Sequence, residues 1–157
     1  MSDPVSTQIM DALATVLRAA NTGACSIDVD RDNEAEPYGV EELPALNILA
    51  VDEDVSIESL AGAAVGVPML QDVTLAVVLQ VVSRGGVAPS RQARSISAAC
   101  EAAIAIDPTL NGICPQVIRV TGRQWLRDDA AEQRLARMNT RLVCGYRTQS
   151  TDPLTAL

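Results

Sequence analysis

The chain of 157 residues contains no histidine, no lysine and no phenylalanine, and all twelve of its basic residues are arginine. Without histidine it cannot form a Ser-His-Asp triad, a Cys-His dyad or a histidine-ligated metal site. Without lysine it can form neither a Schiff base nor a phosphate-binding loop of the Walker type. The acids are adjacent in Glu41-Glu42 and in Asp128-Asp129, so on a strand the two side chains of each pair would point to opposite faces. That geometry is poor for a shared acid–base pair. We therefore expect no enzymatic activity and no cofactor.

Cysteine is sparse and scattered, at Cys25, Cys100, Cys114 and Cys144, with no CxxC spacing. The N-terminus has the pattern of an amphipathic helix rather than of a secretory signal. Isolated cysteines in apolar surroundings are usually small core residues. We expect reduced, buried and unreactive cysteines in a protein made in the cytosol.

The most apolar stretch is residues 73–82, which is rich in valine and much shorter than the roughly 20 residues of a membrane-spanning helix. We expect no membrane partner. Valine favours a pleated strand. The odd-numbered positions are all large and apolar, whereas the even-numbered ones include Thr74 and Gln80. The stretch therefore predicts a central strand whose odd-numbered face lies beneath two helices. The helix residues expected there are Leu13, Leu17, Ile96, Ala103 and Ile104.

Apolar residues at helical spacing predict two helices, over residues 4–21 and 90–106. Alternating patterns predict five strands, over residues 25–30, 45–51, 69–82, 118–127 and 136–147. We expect Asp52-Glu53-Asp54 to end the second strand, residues 55–69 to form a loop, and Arg84-Gly85-Gly86 to be a turn. This order predicts an α+β fold in a single domain, residues 1–148, followed by a polar C-terminal tail, residues 149–157.

Charge is distributed unevenly along the chain, whose formal net charge is −8. Residues 28–58 hold eleven acids and one arginine, Arg31, whereas residues 84–147 hold ten arginines and five acids. Such asymmetry often indicates a charged partner. Here the partner could be another copy of the same chain.

The last two predicted strands each carry arginine on one face. If they pair as a hairpin, the arginines form one exposed basic surface. This surface could be a solvated face, a subunit interface against residues 28–58, or a contact for nucleic acid. Arginine suits an interface because its planar fork binds carboxylates bidentately. Nucleic acid is disfavoured by the acidic chain and its few aromatic residues. The candidate interface residues are Asp28, Asp30, Asp32, Glu41, Glu42, Arg119, Arg123, Arg127, Arg137, Arg141 and Arg147.

The spacing Asp28-x-Asp30-x-Asp32 invites comparison with a calcium-binding loop. The sixth position of an EF-hand loop requires glycine and the twelfth glutamate. Here those positions are Asn33 and Gly39. The sequence therefore predicts a solvated or partner-facing acidic loop and no metal site.

The order of elements resembles the tail terminator, or tail completion, proteins of tailed bacteriophages and prophages. Residues 45–51, 72–84 and 98–112 carry the resemblance, the last ending in Asp107-Pro108-Thr109-Leu110-Asn111-Gly112. In this family the last strand commonly ends in Tyr-x-Thr before a polar, proline-containing tail. Here Tyr146-Arg147-Thr148 precedes Asp152-Pro153. Residues 28–43 match no feature of the family.

The resemblance implies one mixed sheet with helices packed on it. We expect a mainly antiparallel sheet of about five strands with two main helices on one face. The resemblance also implies a ring, usually a hexamer, that caps the tail tube, stops its polymerisation and offers a surface for head joining. The implied partners are further copies of the chain, the tail tube protein and the head–tail connector or neck proteins, with DNA passing through the lumen. The even-numbered face of residues 73–82 could then face a neighbouring subunit or the lumen.

Overall fold

The computed structural model describes residues 3–57, 69–84, 89–128 and 135–149. They form an α+β fold with two helices and one five-stranded mixed sheet, so the predicted fold class is confirmed. The elements, in chain order, are α1 Val5–Ala19, β1 Ser26–Val29, a short 3-10 helix Val40–Glu42, β2 Ala45–Ile57, β3 Leu70–Arg84, α2 Pro89–Ile106, β4 Arg119–Asp128 and β5 Leu135–Gln149.

The strands lie in the order β1-β2-β3-β5-β4. β1 is parallel to β2, and each of the other neighbouring pairs is antiparallel. β3 is the central strand. It pairs with β5 along its whole length on one side and with most of β2 on the other. The prediction that the sheet is built around residues 73–82 is therefore confirmed.

Both helices pack against one face of the sheet. The odd-numbered side chains of β3 are buried there in one cluster with Leu13 and Leu17 of α1 and with Ile96 of α2, as the alternation predicted. In β5 the even-numbered residues, such as Leu142 and Cys144, complete this core. We call this side the helix face and the opposite side the open face.

β2 extends further than its sequence predicted. Asp52-Glu53-Asp54 does not end the strand, which continues to Ile57 in register with β3 as far as Gln71. Three consecutive acids are unfavourable in a strand on propensity alone. They are accommodated because pairing with β3 supplies the backbone hydrogen bonds and because their side chains stay exposed.

Several predictions fall outside the described residues. These are the loop over residues 58–68, the glycines of the predicted turn at Gly85-Gly86 and the tail from residue 150 onward. Gln149 itself belongs to β5.

Three of the cysteines are buried, as predicted, and all four are free thiols. Burial raises the pKa of the Cys100 thiol to about 12, which keeps it protonated and unreactive. The prediction is wrong for Cys25, which is exposed just ahead of β1. Among the described residues, no helix is long and apolar enough to cross a membrane.

Candidate subunit interface

The acidic loop, residues 30–43 between β1 and β2, is folded around its only arginine. Arg31 Nη1 donates to Glu42 Oε1 at 2.8 Å and to Asp28 Oδ2 at 3.2 Å, and Nη2 donates to Glu42 Oε2 at 3.2 Å. The Arg31 guanidinium also lies over the Tyr38 ring, 4.2 Å from its centroid. One cation thus holds together a segment that would otherwise repel itself.

The network shifts the pKa values of its members. The Arg31 guanidinium, followed by the Gly39 N–H, holds the pKa of the Glu42 carboxyl below its usual range. The same carboxylates raise the pKa of Arg31. Desolvation, and then the nearby Asp28 charge, raise the pKa of Tyr38 to about 12. At neutral pH the network is therefore held in its fully paired ionic form.

The lowered pKa of Glu42 predicts a dependence of stability on pH. A carboxyl group whose pKa is lower in the folded state stabilises the fold above its unfolded pKa, and this contribution is lost as pH falls through the folded value. We expect urea midpoints to fall once the pH drops below about 5, where an unfolded glutamate begins to bind protons, and to go on falling as the pH passes through the lower pKa that Glu42 has in the folded state. The fall should be smaller in the Glu42→Gln variant. Glu41→Gln, an exposed neighbour outside the network, is the control and should behave like the wild type.

Two further loop acids, Asp30 and Asp32, also have partners within the chain. Asp30 adopts a left-handed backbone conformation with φ of 51°, and its Oδ1 accepts a hydrogen bond from the Ala50 N–H. Asp32 Oδ1 accepts from the N–H groups of Glu34 and Ala35 and so closes a turn. Glu41 is exposed on the short 3-10 helix. Within the described residues, no group of three or more potential ligands could hold a metal ion.

The prediction that six arginines form a single surface is wrong. β4 contains a bulge at Thr121, because Val120 pairs with Leu142 whereas Gly122 pairs with Arg141. One extra residue reverses the alternation of the strand. Arg119 therefore shares the open face with Arg141, while Arg123 shares the helix face with Thr140.

Contacts with α2 confirm where the bulge places the side chains of β4. Arg123 donates to both carboxylate oxygens of Glu101, at 2.8 and 2.6 Å. The Arg94 guanidinium lies over the ring of Trp125, 4.8 Å from its centroid. Arg127 pairs through its backbone with Ala136, and its side chain is outside the described part of the chain.

Four of the predicted arginines lie on the open face. Arg119 and Arg141 are exposed, and Arg137 is half-buried beside the acidic loop. Arg147 donates to both carboxylate oxygens of Asp72 on β3, at 2.7 and 3.2 Å, which lowers the pKa of Asp72. The basic surface is therefore smaller than predicted and runs across β5 and β4.

β2 carries a group of exposed acids that are not among the interface residues predicted from the sequence. Asp52 and Asp54 share the open face, because they pair with Ala76 and Thr74, while Glu53 lies on the helix face. Glu53 accepts a hydrogen bond from the Tyr146 hydroxyl. The sequence does contain a signal for this longer strand, because Asp54 and Ser56 alternate with Glu53, Val55 and Ile57. That alternation is typical of a strand and could have placed Asp52 and Asp54 on one face of it.

No protein-family model matches the chain, and no curated protein matches it. Among solved structures, the chain is similar to a chain of "Virion of native gene transfer agent (GTA) particle". The identity is 19%, the match covers 90% of this chain and 92% of that chain, and the TM-score is 0.25. A TM-score of this size does not establish a common fold.

Proposed function

We propose that the protein is a structural virion protein of a tailed phage or prophage. Within that class we assign it the role of tail terminator. Copies of the chain form a ring that caps the tail tube, stops its polymerisation and provides the surface for head joining. The ring is made in the host cytoplasm and becomes part of the virion. Its partners are the tail tube protein and the connector or neck proteins, and DNA passes through its lumen.

The separation of charge across the sheet carries this proposal. The acidic loop and the exposed acids Asp52 and Asp54 lie on the β1–β2 side, whereas Arg119 and Arg141 lie on the β5–β4 side. A protomer with complementary surfaces on opposite sides can join its neighbours head to tail, and such heterologous contacts close into rings when the rotation permits. The order of elements that resembles the tail terminators supports the particular role.

A contact for nucleic acid is less well supported by the arginine placement. Arg123 and Arg147 are paired with Glu101 and Asp72 within the chain, and the bulge at Thr121 divides the arginines between two faces. A single basic surface is what dense phosphate contacts require. Another neck or head-completion protein remains the alternative within the same structural class.

Negative-stain microscopy and sedimentation test the proposal on the purified protein, alone and with purified tail tubes. We expect rings with a central hole of tube width, and capped tubes that no longer elongate. Assembly should weaken as salt is added, because exposed charge pairs are screened. A strict monomer in both conditions would contradict a ring. A ring that leaves tube growth unchanged would contradict the terminator role and favour another neck protein.

A further inference from the structure

The acidic loop covers one end of the open face of the sheet and leaves a cavity beneath it. Asn33 Nδ2 donates to Oε1 of Gln80, an open-face residue of β3, and so holds the loop over the strands. The cavity has a volume of about 140 Å³ and lies between the loop and the ends of β3 and β5. Its apolar wall is formed by Val40, Leu43, Val82 and Leu135. An apolar protein cavity of about 150 Å³ binds one benzene molecule, so this one has room for a small ring.

Two arginines, Arg84 and Arg137, line the same cavity, and no acid among the described residues does. Arg84 is two residues beyond Val82, which pairs with Arg137, so the two arginines are diagonal neighbours on the open face. Ser83 faces the other way, because its hydroxyl donates to Gln92 of α2. Diagonal neighbours in a sheet lie about 7–8 Å apart, within reach of long side chains. Two cations thus meet at one cavity in a protein with a net charge of −8.

Neither arginine has a carboxylate partner in the part of the chain that the structure describes. Both are half-buried, and no ion pair there involves Arg84 or Arg137. The nearby acids Asp28 and Glu42 are bound by Arg31 instead. The Nε of Arg137 is buried without any hydrogen-bond partner. A buried donor without an acceptor is costly, and more so when it is charged. The cavity therefore lacks the acceptor that its own wall requires.

The composition of the wall indicates which anion fits. The planar guanidinium group of arginine donates to two oxygens of a carboxylate or a phosphate. A phosphate group has oxygens on all sides, and each of them requires a donor when it is buried. A carboxylate has its oxygens at one end only and can carry an apolar body at the other. The apolar wall beside the two arginines therefore favours a carboxylate.

We propose that this cavity binds a small, free organic carboxylate. Arg137 and Arg84 hold the carboxylate group, and the apolar wall takes a compact body about the size of a benzene ring. The site goes beyond the proposed ring and does not depend on it. Because loop and strand residues line the cavity together, a bound ligand holds the acidic loop against the sheet, and ligand binding stabilises the state that binds.

Calorimetric titration of the full chain with benzoate tests the site. Benzoate combines a carboxylate with a ring of the required size, and benzamide is its uncharged counterpart. We expect benzoate to bind at least about 10-fold more tightly than benzamide or inorganic phosphate, because hydrogen bonds between charged groups are the stronger ones. Hydrogen exchange measured with benzoate present should slow in residues 33–43 of the acidic loop.

Methionine substitutions assign the binding to the two arginines. Arg137→Met and Arg84→Met remove the charge and keep an unbranched apolar side chain. Each should weaken benzoate binding about 10-fold or more and leave benzamide binding nearly unchanged. Arg91→Met makes the same change in net charge at an exposed position of α2, on the other side of the sheet, and should bind benzoate like the wild type.

Thermal melts without ligand separate a binding role for Arg137 from a structural one. Arg137→Met should melt no lower than the wild type, because it removes a buried charged donor that has no partner. A clear fall in its melting temperature, together with unchanged benzoate binding by Arg84→Met, would give these arginines a structural role and overturn the site.

The remaining outcomes separate the ligand class and the proposed function. Equal affinity for benzoate and benzamide, or tighter binding of inorganic phosphate, would overturn the carboxylate. Benzoate affinity that falls as the protein concentration rises would indicate that a second copy fills the cavity, and would overturn a free ligand. No binding of any of these probes would overturn the site whether or not rings form. A strict monomer that binds benzoate through Arg137 would overturn the ring alone.

Discussion

Replacing Leu79 with alanine is expected to lower the free energy of unfolding by about 3–4 kcal/mol, within the range for leucine-to-alanine changes in a core. Leu79 is 1% exposed and lies at the centre of the sheet, paired with Ile48 on β2 and Thr140 on β5. Its side chain belongs to the same buried cluster as Leu13 and Ile96, so truncation leaves a cavity where both helices meet the sheet. Such a loss is a large part of the roughly 5–15 kcal/mol that stabilises a typical domain.

Urea denaturation at low protein concentration measures this effect, since assembly would otherwise add to the apparent stability. Leu49→Ala is the matched control, because Leu49 is a half-exposed residue that pairs with Val78 on the open face. Its loss should be smaller than that of Leu79→Ala, with a similar slope against urea concentration. Equal losses at the two positions would contradict the assignment of the core to the helix face.

Replacing Asn47 with alanine is expected to cost about 2–3 kcal/mol, because buried polar groups left without partners cost about 1–3 kcal/mol each. Asn47 is fully buried on β2. Its Oδ1 accepts from the Arg31 N–H at 3.2 Å, and its Nδ2 donates to the Arg31 carbonyl at 2.7 Å. The Asn47 side chain thus gives the Arg31 backbone the two hydrogen bonds that a neighbouring strand would give it, just beyond the end of β1.

The loss of Asn47 should also act on the acidic loop as a whole. Because Arg31 holds Asp28 and Glu42, releasing its backbone loosens the ionic network, and loop amides should exchange with solvent faster than in the wild type. Asn33→Ala serves as the control. Asn33 is half-exposed; it donates to Gln80 and accepts only a long bond, 3.5 Å, from Asn47 Nδ2, and it makes no bond to the Arg31 backbone, so its loss should be smaller. Unchanged exchange in Asn47→Ala would contradict this anchoring role.

Prediction from the sequence succeeded where a local pattern faces a core. The spacing of apolar residues predicts both helices, the central strand and the buried face of β5. Burial requires an apolar side chain at every second position of a strand and at about every 3.6 positions of a helix. Leu13, Ile96 and the odd-numbered residues of β3 do lie in one cluster. The proposed interface residues are charged and mostly exposed, and burial in a core does not fix the face of the sheet on which an exposed charge lies. The local pattern therefore could not predict which of these charges share a surface.

The sequence by itself determined the class of the fold and the separation of acidic from basic segments, because both depend on residue type and short-range spacing. Tertiary structure decided which charges share a surface. The bulge at Thr121 turns Arg123 toward Glu101 and leaves Arg119 on the open face. Pairing with β3 continues β2 through Asp52 and Asp54. Arg31 engages Asp28 of β1 and Glu42 of the acidic loop. Each of these results depends on a partner distant in the chain.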